Sequence, residues 1–474
     1  MPRHGALAGV GGEATTMNIR VLAGAAAIAV TGVLAYGFYQ LMPEGEPLAR
    51  SEVIGELDGP PLAGYSRTRL YRYGEHQFLV GQLIAGDRDI AGLAKAPVLD
   101  ALLPPASEGS QPDGVARAEA ASADPAQGML QAAAVARDVR NLVYGGRDNG
   151  RYALLGSIGG DTGVTLIGAP QGQTLYLVGG SQRRIRDGDS SSGWDVWRSD
   201  DQGANWRYAP DLQLGAPRRF TVFLTDERAM ALTDGSNGAG DERLLVSEDG
   251  ARHWSALSLR EQVWPDADSY GKAFQEHLGQ VRATADQLVY GWSLYPLAAD
   301  RAVGWSWRDR VTAGLVRRIE TRRFEVRFQD GASPAFRITH DVAAVPPQDP
   351  RSQPRVGQPE YATADNRIYR LDPADSNWHE LAAMPAVRGQ RTWIGQAWFG
   401  RNGWVVQTYA DHLFSFNDYT RTYFHTRDQG RTWRPFQLSP DQERGLLGLD
   451  AAGEGVLVHV DRGGKTIIVR YALE

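Results

Sequence analysis

"HTRDQGRTW", residues 425–433, decides how this chain folds. Thr426, Asp428, Gly430, Thr432 and Trp433 are spaced as regularly as an active site would be. The same spacing recurs upstream. "SDDQGANW" at 199–206 and "TRDQGRTW" at 426–433 both fit S/T-x-D-x-G-x-x-W, with Ser199, Asp201, Gly203 and Trp206 in the first copy. "SEDGARHW" at 247–254 keeps Ser247, Asp249 and Trp254 but carries its glycine one place early, at Gly250. "LDPADSNW" at 371–378 keeps only Trp378. The four tryptophans are separated by 48, 124 and 55 residues, so the middle interval fits two units with one motif lost. A unit of roughly 50 to 60 residues suits a four-stranded propeller blade.

Each motif lies between the end of one strand-like run and the start of the next: "WDVWRS" into "WRYAP", "RLLVSE" into "WSALSL", "YFHTR" into "WRPFQL". The Ser or Thr and Asp side chains can accept bonds from turn amides and close a hairpin. Glycine supplies positive φ without steric cost. The tryptophan opens the next strand and can bury a large ring between sheets. Nothing in that arrangement requires a substrate. From about Tyr152 onward the chain is a succession of short runs rich in Val, Leu, Tyr, Trp and Thr, punctuated by Gly, Asp, Asn and Pro. "RTRLYRY" (67–73) and "QFLVGQLI" (77–84) read as a further hairpin. Many short strands of even spacing predict an all-β sandwich, barrel or propeller. Two segments break the pattern. Residues 86–138, rich in Ala, Pro and small polar residues, read as a flexible excursion, with helical propensity in "AQGMLQAAAVARDVRNLV". "DADSYGKAFQEHLGQVRATADQ" (266–287) has helical spacing around Phe274, His277, Leu278 and Val281.

The motif resembles the Asp-box, or bacterial neuraminidase repeat, family. That resemblance implies an all-β fold: a β-propeller of about six four-stranded blades, within a range of five to seven, over residues 60–474. It also places the boxes on the outer rim, away from the axial binding face. The family holds sialidases, xyloglucan-cleaving glycosidases, sorting receptors and photosystem assembly factors, so it speaks to fold more than to activity.

Bulk properties narrow the function classes. The chain has 474 residues, 50 basic and 56 acidic, with a formal charge of −6. No basic face is implied, and nucleic acid is not an expected partner. Cysteine is absent, which removes disulfides, thiolate catalysis and Cys-ligated metals. The only lysines are Lys95, Lys272 and Lys465.

Residues 21–42, "VLAGAAAIAVTGVLAYGFYQLM", are 22 residues without a charge, and a helix needs roughly 20 to cross a bilayer. Arg20 precedes them, and Glu44 and Glu46 follow. This predicts one N-terminal transmembrane signal anchor, with residues 1–20 cytoplasmic and the bulk of the chain exported. Met17 is an alternative start. Cleavage after "AYG" (35–37) is the alternative to an anchor. Residues 43–59 then form a linker. The expected location is a bacterial inner membrane with the C-terminal domain in the periplasm, or a secreted or periplasmic protein if the signal is cleaved.

The resemblance to sialidases implies an arginine cluster for a substrate carboxylate, an Asp acid/base and a Tyr–Glu nucleophile pair. The family's Phe-Arg-Ile-Pro string has one counterpart, "FRIT" at 336–339, which makes Arg337 the candidate carboxylate-binding residue. Thr339 replaces the proline, and the string follows two boxes instead of preceding them. Glu360 and Tyr361 are adjacent, but their plainer reading is a strand end beside a packing aromatic. "SQRRIR" (181–186) and "RRIETRR" (317–323) could bind an anionic glycan or an acidic protein face, or lie solvated beside Asp187 and Glu320. "DGDSSSGWD" (187–195) imitates the start of a calcium loop but lacks its sixth-place Gly and twelfth-place Glu. No zinc, phosphate-loop or nucleophile-elbow spacing is present, and no cofactor or metal is expected. Trp305, Trp307, Trp393, Trp398 and Trp404 fit either a sugar platform or packing between blades.

Two functions follow. One is a non-catalytic module binding a protein or glycan through one end of the ring, of assembly-factor or inhibitor/immunity type, with 86–138 and "DGSNGAGDE" (234–242) among its contact loops. The other is a sialidase-like exo-glycosidase with an axial arginine cluster. In both, the box residues shape turns and the working surface lies on another face.

Overall fold

The structure is a computed structural model. It describes residues 45–62, 68–85, 98–102, 138–147, 150–159, 164–179, 195–209, 221–233, 243–265, 287–312, 315–329, 332–339, 361–364, 366–384, 392–411 and 419–473. The expected membrane segment 21–42 lies outside these. Among the described residues, no helix is long and apolar enough to cross a membrane.

The chain is an all-β propeller. In chain order the strands are β1 (Glu46–Pro47), β2 (Ser51–Asp58), β3 (Arg69–Tyr73), β4 (His76–Ala85), β5 (Asp138–Arg147), β6 (Arg151–Gly159), β7 (Thr165–Gly168), β8 (Leu175–Gly179), β9 (Asp195–Ser199) and β10 (Arg207–Tyr208). There follow β11 (Thr221–Phe223), β12 (Ala229–Thr233), β13 (Arg243–Ser247), β14 (Ser255–Ser258), β15 (Gln287–Ala298), β16 (Arg301–Thr312), β17 (Leu315–Gln329) and β18 (Ala332–Thr339). The last are β19 (Tyr361–Ala364), β20 (Arg367–Asp372), β21 (Asn377–Ala383), β22 (Thr392–Phe399), β23 (Trp404–Asp411), β24 (Tyr419–Thr426), β25 (Arg434–Gln437), β26 (Leu446–Leu449), β27 (Gly455–Arg462) and β28 (Lys465–Ala472). The helices described are two of five residues, α1 (Leu259–Val263) and α2 (Pro440–Arg444), and one 3-10 turn, Leu99–Leu102.

Five sheets are single blades: β7–β10, β11–β14, β15–β18, β19–β21, and β22–β25 with β1 on its outer edge. The sixth has eight strands in the order β26-β27-β28-β2-β6-β5-β4-β3. It divides where β2 and β6 meet in a short parallel pairing, Glu56 to Asp58 against Arg151 to Ala153. One half is a meander, β3 to β6. The other completes the C-terminal strands β26 to β28 with the N-terminal strand β2, and β26 also contacts β3. The ring is therefore closed by the start of the chain pairing with its end. Lys465 bonds Glu56 at 2.6 Å and Arg470 reaches Glu52 at 3.1 Å across this closure, while Arg470 also bonds Asp450 at 2.6 Å within the C-terminal half. About six four-stranded blades, within a range of five to seven, were expected; among the described residues five sheets are single blades and one is a double sheet.

Apolar residues pack in the seams between blades. One cluster joins β3 and β4 to the next blade through Tyr71, Phe78, Leu177, Trp197 and Trp206. Another joins α1, β12 and β13 to β15–β17 through Met230, Leu244, Trp264, Phe324 and Val326. The helical propensity read in "AQGMLQAAAVARDVRNLV" is overridden at its end: Asp138 to Val143 belong to β5, where Leu142 and Val143 are fully buried. The rest of that stretch, 126–137, lies outside the described residues. So do 266–286, where a helix was expected, and 181–194 and 234–242.

Candidate functional site

The boxes are clasps. Thr426 Oγ1 accepts from Gly430 N at 2.9 Å and donates to Asp428 Oδ1 at 2.7 Å. Asp428 then accepts from Thr432 N at 2.8 Å and Thr432 Oγ1 at 2.7 Å. Ser199, Asp201, Gly203 and Asn205 repeat this network, and so do Ser247, Asp249, Ala251 and His253. Two consecutive residues in each turn have positive φ: Gln202–Gly203, Gly250–Ala251 and Gln429–Gly430. The early glycine of the middle box therefore occupies the first of two left-handed positions, and the turn keeps its shape. Those donors hold the Asp428 carboxyl down at about 2, the Thr432 hydroxyl contributing most.

Each box tryptophan enters the seam with the preceding blade. Trp206 belongs to the cluster of Tyr71, Tyr73 and Phe78; Trp254 packs against the cluster that holds Ile167 and Tyr176, and Trp433 against the one that holds Ile368 and Ala382. Trp378 packs edge-on against Tyr295 at 5.1 Å. Its turn is built differently: Asp372 Oδ1 accepts from Ala374 N, and Asp375 Oδ1 from Asn377 N. His379 sits 2.7 Å from Asp375, so Asp372, Asp375 and His379 form an exposed cluster.

The arrangement with chemical potential lies at the other end of the β22–β25 blade. On β23 and β24 the alternation of side chains sends Val405, Gln407 and Tyr409, with Arg421, Tyr423 and His425, to the face that meets β26–β28. The register pairs Gln407 with Tyr423 and Tyr409 with Arg421. Gln407 donates to Tyr423 Oη at 2.8 Å and accepts from Tyr409 Oη at 3.2 Å. Trp393 on β22 stacks on Tyr409, with centroids 5.8 Å apart and planes 22° apart. A Cβ on Gly395 would run into the Tyr409 ring, so a glycine is needed there for the ring to lie flat on β22.

Helix α2 closes this niche. Ser439 caps it, Pro440 opens it, and Gln442 completes a capping box. That fixes Glu443 over the blade, 3.6 Å from Arg421. Burial pushes the Glu443 carboxyl above the ordinary carboxylate range, against the opposing pull of Arg421 and Tyr423. Tyr423 is itself pushed up, by burial first and then by the Glu443 charge. Trp393 and Tyr409 are half-buried and Arg421 is exposed, so a ligand can reach the rim while Gln407 and Tyr423 form its floor.

Sequence reasoning did not find this Tyr–Glu pair, because its members are 20 residues apart on different elements. The readable signal was the alternation of Gln407/Tyr409 and Arg421/Tyr423. The residues singled out from sequence lie elsewhere. Arg337 is exposed on β18, at the far edge of its sheet from β15, opposite Glu325. Tyr361 stacks on Phe399 at 4.2 Å as a packing residue, and Glu360 lies outside the described residues. Trp305 and Trp404 are core. Most of the 317–323 arginines are engaged: Arg318 with Asp309 at 2.8 Å, Arg322 with Glu320 at 2.6 Å, and Arg323 with Asn377 at 2.9 Å.

No family model matches the chain, and no curated protein matches it. Solved structures do. The α-L-arabinofuranosidase Arb93A of Fusarium graminearum is 10% identical, at a TM-score of 0.34, over 80% of this chain and 98% of that one. The β-propeller domain of the trilobed protease of Pyrococcus furiosus is 8% identical, at a TM-score of 0.34, over 86% and 94%. An α-L-arabinanase of Penicillium chrysogenum is 9% identical, at a TM-score of 0.30, over 89% and 98%. At such identities the substrates and reactions in those descriptions belong to those proteins.

Proposed function

We propose that this β-propeller is a glycan-binding module, tethered by residues 21–42 to a bacterial inner membrane with its ring in the periplasm. Its sugar site is the niche formed by Trp393, Gln407, Tyr409, Arg421 and Glu443. The observation that carries this reading is the flat Trp393–Tyr409 stack beside a row of hydrogen-bonding side chains. A pyranose ring has an apolar face that rests on an aromatic plane, and hydroxyls that need donors and acceptors at its edge. Titration of intrinsic fluorescence with neutral and acidic oligosaccharides tests it. A saturable change that Tyr409→Ala reduces at least tenfold is expected; a flat response to the whole panel sinks the reading.

The glycosidase reading is favoured by one specific observation, the raised proton affinity of Glu443 beside Tyr423. A carboxyl that stays protonated nearer neutrality can protonate a leaving glycosidic oxygen. Binding needs only the groups in the niche, whereas hydrolysis needs a second group to attack the anomeric carbon. Purified protein assayed on fluorogenic glycosides, a sialoside among them, separates the two. Turnover by the unsubstituted protein that a folded Glu443→Gln variant lacks even at saturating saccharide establishes the enzyme, and binding without turnover in the unsubstituted protein establishes the module.

A further inference from the structure

The box end of the β22–β25 blade carries a charge that the other full boxes do not. Its box turn, 427–434, and the turn between its first two strands, 400–403, hold four arginines and one aspartate: Arg401, Arg427, Arg431 and Arg434, with Asp428. The same windows of β11–β14, 248–255 and 224–228, hold four carboxylates, two arginines and His253. Those of β7–β10, 200–207 and 169–174, hold two aspartates and one arginine. The register brings the four arginines to one end of their sheet. Trp404 pairs with both Phe399 and Thr426, and His425 pairs with Arg434. The 400–403 turn is held against the next blade, where Asn402 N bonds the Ala452 carbonyl at 2.7 Å.

All four arginines are exposed, and none makes an ion pair among the described residues. Arg427 donates to the Leu473 carbonyl. The bordering carboxylates are engaged elsewhere: Asp428 by its own turn, and Glu454 by Asn402 at 3.0 Å and Arg470 at 3.9 Å. At the niche end of the same blade the charges balance, Arg421 facing Glu443 and Arg444 facing Asp441, each at 3.6 Å. The surplus therefore sits where the chain enters the ring. Gly45 lies so close to Phe436 that a Cβ on it would come within 2.4 Å of the Phe436 Cα, and Glu46 on β1 pairs with Phe436, two positions from Arg434. Pro43 and Glu44 alone separate Gly45 from the end of the apolar run 21–42. Three residues of extended chain span at most about 11 Å, and charges are screened over about 8 Å at physiological salt. A bilayer that holds residue 42 thus comes within one or two screening lengths of this blade.

We infer that the box end of this blade docks on the anionic phospholipid headgroups of the bilayer that holds residues 21–42, an inference that rests on reading 21–42 as a membrane anchor. The forked donors of a guanidinium match phosphate oxygens, and basic residues beside a spanning segment are drawn to anionic lipid. An acidic protein offers similar charge, but the entering chain delivers the lipid surface to this blade and not to β7–β10 or β11–β14. The blade so favoured is the one with the positive surplus. Docking by the box end turns the Trp393–Tyr409 niche, at the other end of the blade, away from the lipid.

The chain has no cysteine, so a single introduced one reports position without background. The test uses the full-length chain in vesicles that carry a nitroxide-headgroup lipid, with a fluorophore on Asn402→Cys or, at the β11–β14 box, on Glu248→Cys; both positions are exposed. In phosphatidylglycerol-rich vesicles, quenching should be several-fold stronger at Asn402→Cys than at Glu248→Cys. It should fall several-fold in phosphatidylcholine or at high salt, and equally when Arg401→Ser, Arg431→Ser and Arg434→Ser are combined. The lipid and salt comparisons keep the arginines, so they decide the matter even if the triple variant misfolds. Equal quenching at the two positions, or in the two lipids, overturns the proposal and leaves the tether alone to place the ring. Loss of the phosphatidylglycerol effect on adding polyglutamate at matched ionic strength overturns it in favour of an acidic protein partner. A chain that high salt strips from phosphatidylcholine vesicles refutes the anchor, and the docking with it. A chain that stays with them while its label ignores phosphatidylglycerol refutes the docking alone.

Discussion

Strand β24 has two ends, and they treat a carboxyl in opposite ways. At the box end, Thr426 leads into a turn whose amides and hydroxyl hold Asp428 down at about 2. At the other end, Arg421 and Tyr423 sit beneath Glu443, whose carboxyl is pushed up by burial. The first carboxylate has as many donors as it can use and stays charged at any physiological pH. The second is taken from water and given fewer partners than its charge requires. A fully satisfied polar group serves the fold; a poorly compensated one in a cleft marks a place where a ligand can complete the set.

The largest expected effect tests the blade near the box end together with the closing sheet. His425 on β24 and His459 on β27 are both buried, each with one ring nitrogen lacking a partner. Burial lowers both to about 4, and Arg427 and Arg434 also depress His425. A histidine with a depressed folded pKa binds protons more readily in the unfolded chain. Stability is therefore full above about pH 6.5 and is lost as pH falls towards 4, by about 3 kcal/mol for each histidine. Urea melts at pH 7.5 and pH 4.5 should show this loss, and His459→Gln should roughly halve the slope. The box aspartates titrate in a separate, lower window. Asp249 and Asp428 lie at about 2, so the stability their turns supply is present above roughly pH 4 and disappears only as pH falls through 2. A flat melting profile between pH 7.5 and 4.5 would break the contrast with the histidines.

Next in size is the seam itself. Trp433→Ala removes a ring that packs on Ile368 and Ala382 and should cost about 3 kcal/mol, measured by denaturant unfolding. Ser199→Ala strips a buried hydroxyl that accepts from Gly203 N at 2.7 Å and donates to Asp201, at a cost of about 1 to 2 kcal/mol. Asp428→Ala should lower stability as well, without altering saccharide binding at the far end. A loss of binding in a folded Asp428→Ala protein would mean that the two ends of β24 are coupled.

These comparisons also mark what could be read from sequence. The box pattern located the turns, the seam tryptophans and the propeller, because each residue acts within eight positions of its neighbours. The closure by β2 was not legible: "SEVIGELD" at 51–58 pairs with residues more than 400 positions away, and it was read as linker. The fourth turn was half legible. Trp378 kept its place, while Asp375 took over the accepting role from a position the pattern does not mark. The niche was invisible because it is assembled from three strands and a helix. Arg337 was a four-residue likeness on the outer strand of its sheet, where its direct partner across the strands is Glu325.

The smallest expected effect is the most informative about function. Glu443 has a folded pKa above its unfolded value, so it binds protons more readily when folded. Its contribution to stability is favourable below that folded pKa and is lost as pH rises through it, leaving a penalty at neutral pH. Glu443→Gln keeps the shape and removes the charge. At pH 7.5 it should therefore leave the melting temperature unchanged or raise it slightly, the reverse of every box substitution. Saccharide affinity should fall, since Arg421 loses its anchor and the niche loses an acceptor. A destabilised Glu443→Gln protein would make this end a clasp like the other, with Tyr423 and Arg421 as its donors. A stabilised one that no longer binds would show a carboxyl kept for its ligand at the expense of the fold.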